Sequence, residues 1–296
     1  MTDPRCPSGD PSDAFEIERP RLLGLAYRML GSLSDAEDVV QDAWLRWSGT
    51  ERDRVENPAA WLTTATTRLA LDRLRAVSRR REDYVGPWLP EPVALADGDP
   101  AAAAEVAESL TLGFLVVLDA LSATERAVFL LADVFGEPFA AISAAVGKTE
   151  DNCRQIAHRA RHKVRSARPP DVSPAGPDLL VQLLAATSNG DIDALLALLD
   201  TDVVMLSDGG AERRAARRPV VGAARVARFL VNLAHRLSVS TFDMRSVNGE
   251  SMVVFELAAD DRIVFGADVR DGRVVAIHAQ RNPAKLGHLD APAALR

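Results

Sequence analysis

The chain has 296 residues, 47% of them hydrophobic and 26% charged, and a formal net charge of −7. That length exceeds what one core normally serves, so two or three domains are expected, and no apolar run approaches the roughly 18 residues of a membrane span. Two cysteines, Cys6 and Cys153, are too few and too far apart for a disulfide framework or a zinc site, and the N-terminal stretch "MTDPRCPSGDPSDAF" lacks the apolar segment of a secretory signal. A soluble, cytoplasmic protein with no membrane partner, no metal and no cofactor is expected. An acidic total argues against nucleic-acid binding unless the basic residues are concentrated, and here they are.

Residues 14–82 form a first helical block. In "GSLSDAEDVVQDAWLRW", Ser34 and Glu37 have capping-box spacing and predict a helix from Asp35. Val39, Val40, Ala43 and Trp47 make its apolar stripe, leaving Asp38, Gln41, Asp42 and Arg46 to face elsewhere. In "ENPAAWLTTATTRLALDRLR", Asn57 is a good N-cap and Pro58 a good first helical residue. Trp61, Leu62, Ala65, Leu69 and Leu71 to Leu74 offer the buried side. From Arg68 to Arg81 six arginines accompany one acid, Asp72. Trp44, Trp47 and Trp61 are read as core residues.

Residues 83–105 are a proline-rich connector containing "GPWLPEP". Prolines at 87, 90 and 92 favour an extended chain that presents Trp88 and Leu89 to a partner surface at small ordering cost. Residues 106–168 are helical again. Ser122 and Glu125 make another capping box, "FAAISAAVG" is a short helix stopped by Gly147, and Thr149 caps a third helix. In that helix Cys153, Ile156, Ala157, Ala160 and Val164 share one side, while Arg154, Gln155, His158, Arg159, Arg161, His162 and Lys163 share the other. A small-residue face for packing and a long polar face for bases and phosphates are what a helix-turn-helix recognition helix requires. Residues 169–177 form a second linker. Residues 178–296 read as two short helices broken at Asn189-Gly190, a strand, a "DGG" loop, a third helix and three or four strands separated by "NGE", "ADD" and "DG" turns. That order suggests an α+β cone or half-barrel.

The two helical blocks resemble the σ2 and σ4 domains of an extracytoplasmic-function RNA polymerase sigma factor, on "DAEDVVQDAWLRW", "NPAAWLTTATTRLALDRLR" and "EDNCRQIAHRARHKVR" in that order. The resemblance implies promoter DNA and core RNA polymerase, through its β′ clamp helices and β flap, as partners. It places Asp35, Asp38, Gln41, Asp42 and Arg46 against the polymerase. It places Asn57, Trp61, Arg68, Asp72, Arg73, Arg75 and Arg79 at the minus-10 element, where melting calls for a cationic track with aromatic surfaces. It places Arg154, Gln155, His158, Arg159, Arg161 and Lys163 at the minus-35 element, where arginine pairs with guanine and glutamine with adenine.

Ordinary members of that family end near residue 168. The extension resembles a fused SnoaL-like domain of the NTF2-like fold, on "WLPEP" in the connector, "DGG" at 208–210 and "NPAKL" at 282–286. Typical forms of the last two are DGGGK and NPDKL, so Ala211, Glu212 and Ala284 are departures. The whole is expected to be a multidomain, mainly α protein with a C-terminal α+β NTF2-like cone. Trp88, Leu89, Pro90, Asp208, Gly209, Gly210, Asn282, Pro283, Lys285 and Leu286 are the expected interdomain regulatory residues. They imply contact of the extension with the linker and σ2, and control in cis. Two other readings stay open: a DNA-binding regulator with a ligand-sensing domain, and an NTF2-like enzyme using Asp208, Asp243, Asp268 or His278. No particular small-molecule ligand is selected by the sequence.

Overall fold

The structure is a computed structural model that describes residues 11–51, 55–81, 84–94, 109–169, 171–257 and 261–290. It divides into two compact units, one of Met1–Ala76, Ala123–Arg159 and Ala294–Arg296, the other of Val77–Ser122 and Ala160–Ala293. Cys6, residues 95–105 of the connector and the last six residues lie outside the described residues.

The first unit opens with α1 (Pro11–Leu30), α2 (Leu33–Ser48) and α3 (Pro58–Arg81). Gly31, at φ 69°, ends α1, and Ser32 in extended backbone caps α2 by accepting from the Asp35 N–H. The expected start at Asp35 with Ser34 as cap is therefore two residues late. The left-handed turn at Gly31 already frees Ser32 for the cap, and Leu33 is buried as the first helical residue. Asn57 caps α3, its Oδ1 accepting from Ala60 N–H at 3.1 Å. Trp47 is buried, with its ring centroid 5.3 Å from that of Trp61, and Trp44 stacks at a tilt on Phe15.

The helix-turn-helix segment follows as α4 (Leu112–Leu118), α5 (Ala123–Phe129), α6 (Phe139–Val146) and α7 (Glu150–Ala167). A π turn, Leu130–Val134, ends α5 and delivers Phe135. Arg21 and Arg28 each lie 5.4 Å from the Phe135 ring centroid. Arg28 is buried, and burial lowers its pKa to about 10, so it stays charged at neutral pH. Arg126, also buried, donates to the Met29 carbonyl at 2.8 Å. Gly147, at φ 69°, stops α6, and Thr149 Oγ1 accepts from Asn152 N–H to start α7.

The second unit contains α4, the last turns of α7 and the C-terminal α+β domain. Its elements are β1 (Ser173–Pro174), α8 (Pro177–Ser188), α9 (Ile192–Leu198), β2 (Leu199–Asp208), β3 (Val220–Val221), α10 (Ala223–Arg236), β4 (Val239–Val247), β5 (Glu250–Leu257), β6 (Arg262–Arg270) and β7 (Arg273–Gln280). The sheet order is β3-β2-β7-β6-β5-β4, with β1 added to β6. Asn248 and Asp271 take positive φ before Gly249 and Gly272, the tight-hairpin geometry their sequence promises. Helices α8, α9 and α10 bury their apolar sides on one sheet face with Val253 and Phe265. The alternate positions Met252, Val254 and Val264 point to the other face. There, Leu112 of α4 and Leu286 and Leu289 from the C-terminal turns cover them. The first helix of the helix-turn-helix segment thus supplies part of this domain's core.

At that junction Leu112 N–H donates to the buried Glu250 carboxylate at 2.6 Å. Gly113 lies so close to Asp268 that a Cβ would overlap its carboxylate. Arg168, from the end of α7, reaches Thr111 Oγ1 at 3.1 Å and Asp268 Oδ1 at 3.2 Å. Burial pushes Glu250 up to about 7, with the Leu112 N–H opposing and Asp268 adding to the rise. Burial works to raise Asp268 as well, but hydrogen bonds and charge from His278 and Arg168 hold it below the usual carboxylate range.

A carboxyl raised on folding stabilises fully below its unfolded pKa and less as pH climbs through its folded value. Glu250 should thus weaken the second unit between the ordinary carboxylate range and about 7, by at most on the order of 3 kcal/mol. Thermal melts across that window should show this decline in the wild type and a flatter profile in Glu250→Gln. Parallel profiles would contradict the assignment.

Candidate functional site

On α2, Asp38, Gln41, Asp42 and Arg46 are exposed and Asp35 is half-buried, a polar face opposite buried Val39, Val40, Ala43 and Trp47. Leu45 stands 59% exposed on the same side, an apolar residue that reading the buried stripe alone passes over. The polymerase and minus-10 candidates are not separate here. Arg73 Nη2 lies 2.5 Å from Asp35 and 3.2 Å from Asp38, and its hydrogen bond to Asp35 raises the guanidinium pKa further.

Along α3, Asp72 and Arg75 are exposed and pair with each other at 3.3 Å, and Trp61 is half-buried against Trp47. Asn57 is exposed, and its side chain is spent on the cap. Arg68 is exposed yet engaged: it donates to the carbonyls of Ala144 at 2.6 Å and Ala145 at 3.3 Å, at the C-terminal end of α6. Those carbonyls carry the negative end of a helix dipole, a natural seat for a guanidinium. Arg21 bonds Thr63 and pairs with Glu137 nearby. The side chain of Arg79 lies outside the described residues.

Helix α7 divides as its spacing predicts. Cys153, Ile156, Ala157 and Ala160 are buried, and Arg154, Gln155, His158, Arg159, His162 and Lys163 are exposed, with Arg161 and Val164 intermediate. Burial raises the Cys153 thiol, as suits a packing residue. Arg154 is held by Glu150 and Asp151, each at 2.7 Å, and lies 5.3 Å from the Phe139 ring centroid.

The other constellation lies within the second unit, where the connector runs along the C-terminal domain. Asp208, at the end of β2, is fully buried. Its carboxylate accepts from Tyr84 OH at 2.6 Å, Leu89 N–H at 2.9 Å, Gly210 N–H at 2.9 Å and Lys285 Nζ at 2.7 Å. Gln280 adds a longer bond to the same carboxylate and reaches the carbonyls of Leu89 and Pro90. Lys285 Nζ also bonds the Leu89 carbonyl at 2.7 Å and sits 4.1 Å from the Trp88 ring centroid and 5.0 Å from that of Tyr84. Leu89, Pro90, Glu91, Pro92 and Val93 are buried, whereas Trp88 is half-buried.

The flanking pieces lock this arrangement. Asn282 donates to Tyr84 OH at 2.8 Å and caps the short turn Pro283–Lys285 by accepting from Ala284 N–H. Gly210, at φ 59°, lies against the Asn282 side chain, leaving no room for a Cβ, and Gly209 is equally close to the Arg213 carbonyl. Leu286 is buried. At the departures from the typical motifs, Ala284 contributes its backbone N–H to the Asn282 cap, and Ala211 and Glu212 are exposed. Sequence reading missed Tyr84, Gln280 and Asn248. Asn248 exchanges bonds with the Val93 backbone and donates to the Leu110 carbonyl at 3.0 Å. A turn asparagine that is fully buried is the one signal for it, and burial is invisible in sequence.

The four acid-base candidates do not form one site. Asp208 belongs to the connector seam, Asp243 is exposed and paired with Arg245, and Asp268 and His278 lie together, Oδ2 to Nε2 at 3.3 Å, beneath α4. Among the described residues no helix is long and apolar enough to cross a membrane.

Comparison with known proteins agrees over nearly the whole chain. Residues 14–80 match Sigma-70 region 2, and residues 113–164 match Sigma-70, region 4. The chain is 39% identical over 291 residues to the ECF RNA polymerase sigma factor SigJ of Mycobacterium tuberculosis, covering 92% of each. It is 32% identical over 287 residues to the probable ECF RNA polymerase sigma factor SigI of the same species, covering 95% of this chain and 96% of that one. The crystal structure of Mycobacterium tuberculosis SigJ superposes with a TM-score of 0.74 at 36% identity, covering 93% of this chain and 97% of that chain. With two sigma-70 regions and a relative matched over 92% of both chains, the chain belongs to the extracytoplasmic-function RNA polymerase sigma factors.

Proposed function

We propose that this chain binds core RNA polymerase, directs it to a promoter, and is restrained in cis by its C-terminal domain. Polymerase contact is assigned to the α2 face of Asp35, Asp38, Gln41, Asp42 and Arg46, on the β′ clamp helices, with the helix-turn-helix segment on the β flap. Minus-10 contact falls to α3, and minus-35 contact to the exposed side of α7, where Arg154, Gln155, His158 and Arg159 reach base edges and Arg161 and Lys163 reach phosphates. The domain bounds 14–82, 106–168 and 178–296, with linkers between, are retained as functional modules.

The observation that carries the regulatory part is the buried Asp208–Lys285 pair enclosing the Leu89 backbone. A connector gripped in this way is not free to follow a polymerase surface. Arg68 and Arg73 are engaged inside their own unit as well, so the arrangement described is a resting one, and engagement of polymerase and promoter exchanges these contacts for new ones. The extension is assigned a holding role, with Asp208 engaged by the connector and Asp268 by Arg168 and His278. The protein would work beside polymerase in the cytoplasm.

Run-off transcription with purified core polymerase tests the first part. Promoter-specific initiation without any other sigma factor is expected; binding to promoter DNA without initiation would favour a one-component regulator instead. In the same assay Lys285→Met should raise initiation about tenfold or more, since breaking one side of a buried pair costs roughly 3–5 kcal/mol. With the fold verified by circular dichroism, transcription equal to wild type would contradict the restraint.

A further inference from the structure

From Arg213 to Arg236 the chain holds seven arginines and a histidine with no aspartate or glutamate, within a protein of net charge −7. Arg213 pairs with Asp261 at 3.4 Å. The other six, Arg214, Arg217, Arg218, Arg225, Arg228 and Arg236, are exposed, and among the described residues none has an acidic partner within ion-pair distance. Helix α10 buries Val226, Ala227 and Leu230 and turns Arg225, Arg228, His235 and Arg236 outward, so its outer face carries basic groups and no acid. Beside its first turn a cleft of about 570 Å³ is walled by Arg225, Arg228 and Arg273, with no acid in its lining. Such concentration is costly in self-repulsion unless an anion is at hand.

We propose that this arginine face is a sequence-independent contact for the phosphate backbone of promoter DNA, so that the C-terminal domain adds to holoenzyme affinity as well as restraining the connector. The proposal rests on the sigma-factor reading for its choice of polyanion. A single small anion is bound by two or three converging groups. Here cations continue along a 14-residue helix, a span of about 21 Å, and into the preceding loop, which suits a polymer with regularly spaced charges. Arginine's fork matches phosphate oxygens in pairs. Besides His235 the segment holds one amide side chain, Asn232, and one aromatic ring, the partly buried Phe229, so it has few groups with which to read or stack bases. Tethering to the promoter-binding helices puts DNA at high local concentration.

The test is holoenzyme binding to a promoter fragment and to a scrambled fragment over a salt series, for wild type and for a chain carrying Arg217→Gln, Arg218→Gln, Arg225→Gln and Arg228→Gln. Each phosphate that the variant no longer neutralises should flatten the slope of log K against log salt by about 0.9, so a change of roughly 2 to 4 is expected, with similar weakening on both fragments. An unchanged slope overturns the proposal. So does saturable stabilisation of the wild type by inorganic phosphate with no change in slope, which would assign the cleft to a small anion. Weaker binding to core polymerase without DNA, again with unchanged slope, would assign the face to a protein partner and overturn it too. Failure of wild-type holoenzyme to select the promoter at all would remove the sigma-factor reading itself, an outcome separate from the others.

Discussion

A carboxylate with no exposure to water has to be answered by donors, and Asp208 is answered from every direction. Its donors come from Tyr84 and Leu89 in the connector, Gly210 in its own loop, and Gln280 and Lys285 at and beyond the end of the last strand. Removing any one segment leaves a buried charge partly unsatisfied, so the three segments hold together or separate together. The prolines of "GPWLPEP" make this inexpensive in entropy, because the extended shape that Asp208 selects is the one they already favour. Trp88 and Tyr84 complete the seat by placing ring faces toward the Lys285 ammonium, which compensates part of its lost hydration.

A second constraint reinforces the first. A sheet with one face against helices can leave its other face to solvent, but Met252, Val254 and Val264 make the second face apolar as well. Leu112 closes it from α4, and Glu250, Asp268 and Arg168 fix that helix and the end of α7 around it. Helix α4 and the end of α7 are therefore built into the second unit together with the sheet.

Much of this was legible in the sequence, and most of the parts that were not depend on contacts between distant stretches of chain. Local signals read well: Asn57 and Thr149 as caps, Gly147 as a stop, the hairpins at Asn248-Gly249 and Asp271-Gly272, and the two sides of α7. Each depends on a period or a turn preference spanning a few residues. The three motifs named the segments of the seam but not its chemistry, since nothing along the chain says that Tyr84 and Gln280 meet Asp208 across more than 70 residues. Arg68 and Arg73 read as part of a cationic run, and their partners Ala144 and Asp35 lie too far along the chain for the sequence to name them. The Ser32 cap was missed for a nearer reason: two serines competed, and the Gly31 turn decided between them. The basic face of α10 was present in composition all along, but only the burial of Val226 and Leu230 shows that its arginines point one way.

The central claim is that the connector is held by the C-terminal domain at rest and released when polymerase is engaged. The Leu89 amide reports it directly, because its N–H donates to Asp208 from a fully buried position. Hydrogen exchange at that amide, followed in the free chain and in the same chain bound to core polymerase, separates the possibilities. Slow exchange in the free protein and rapid exchange in the complex are expected. Rapid exchange in the free protein, or equal protection in both states, would contradict the claim.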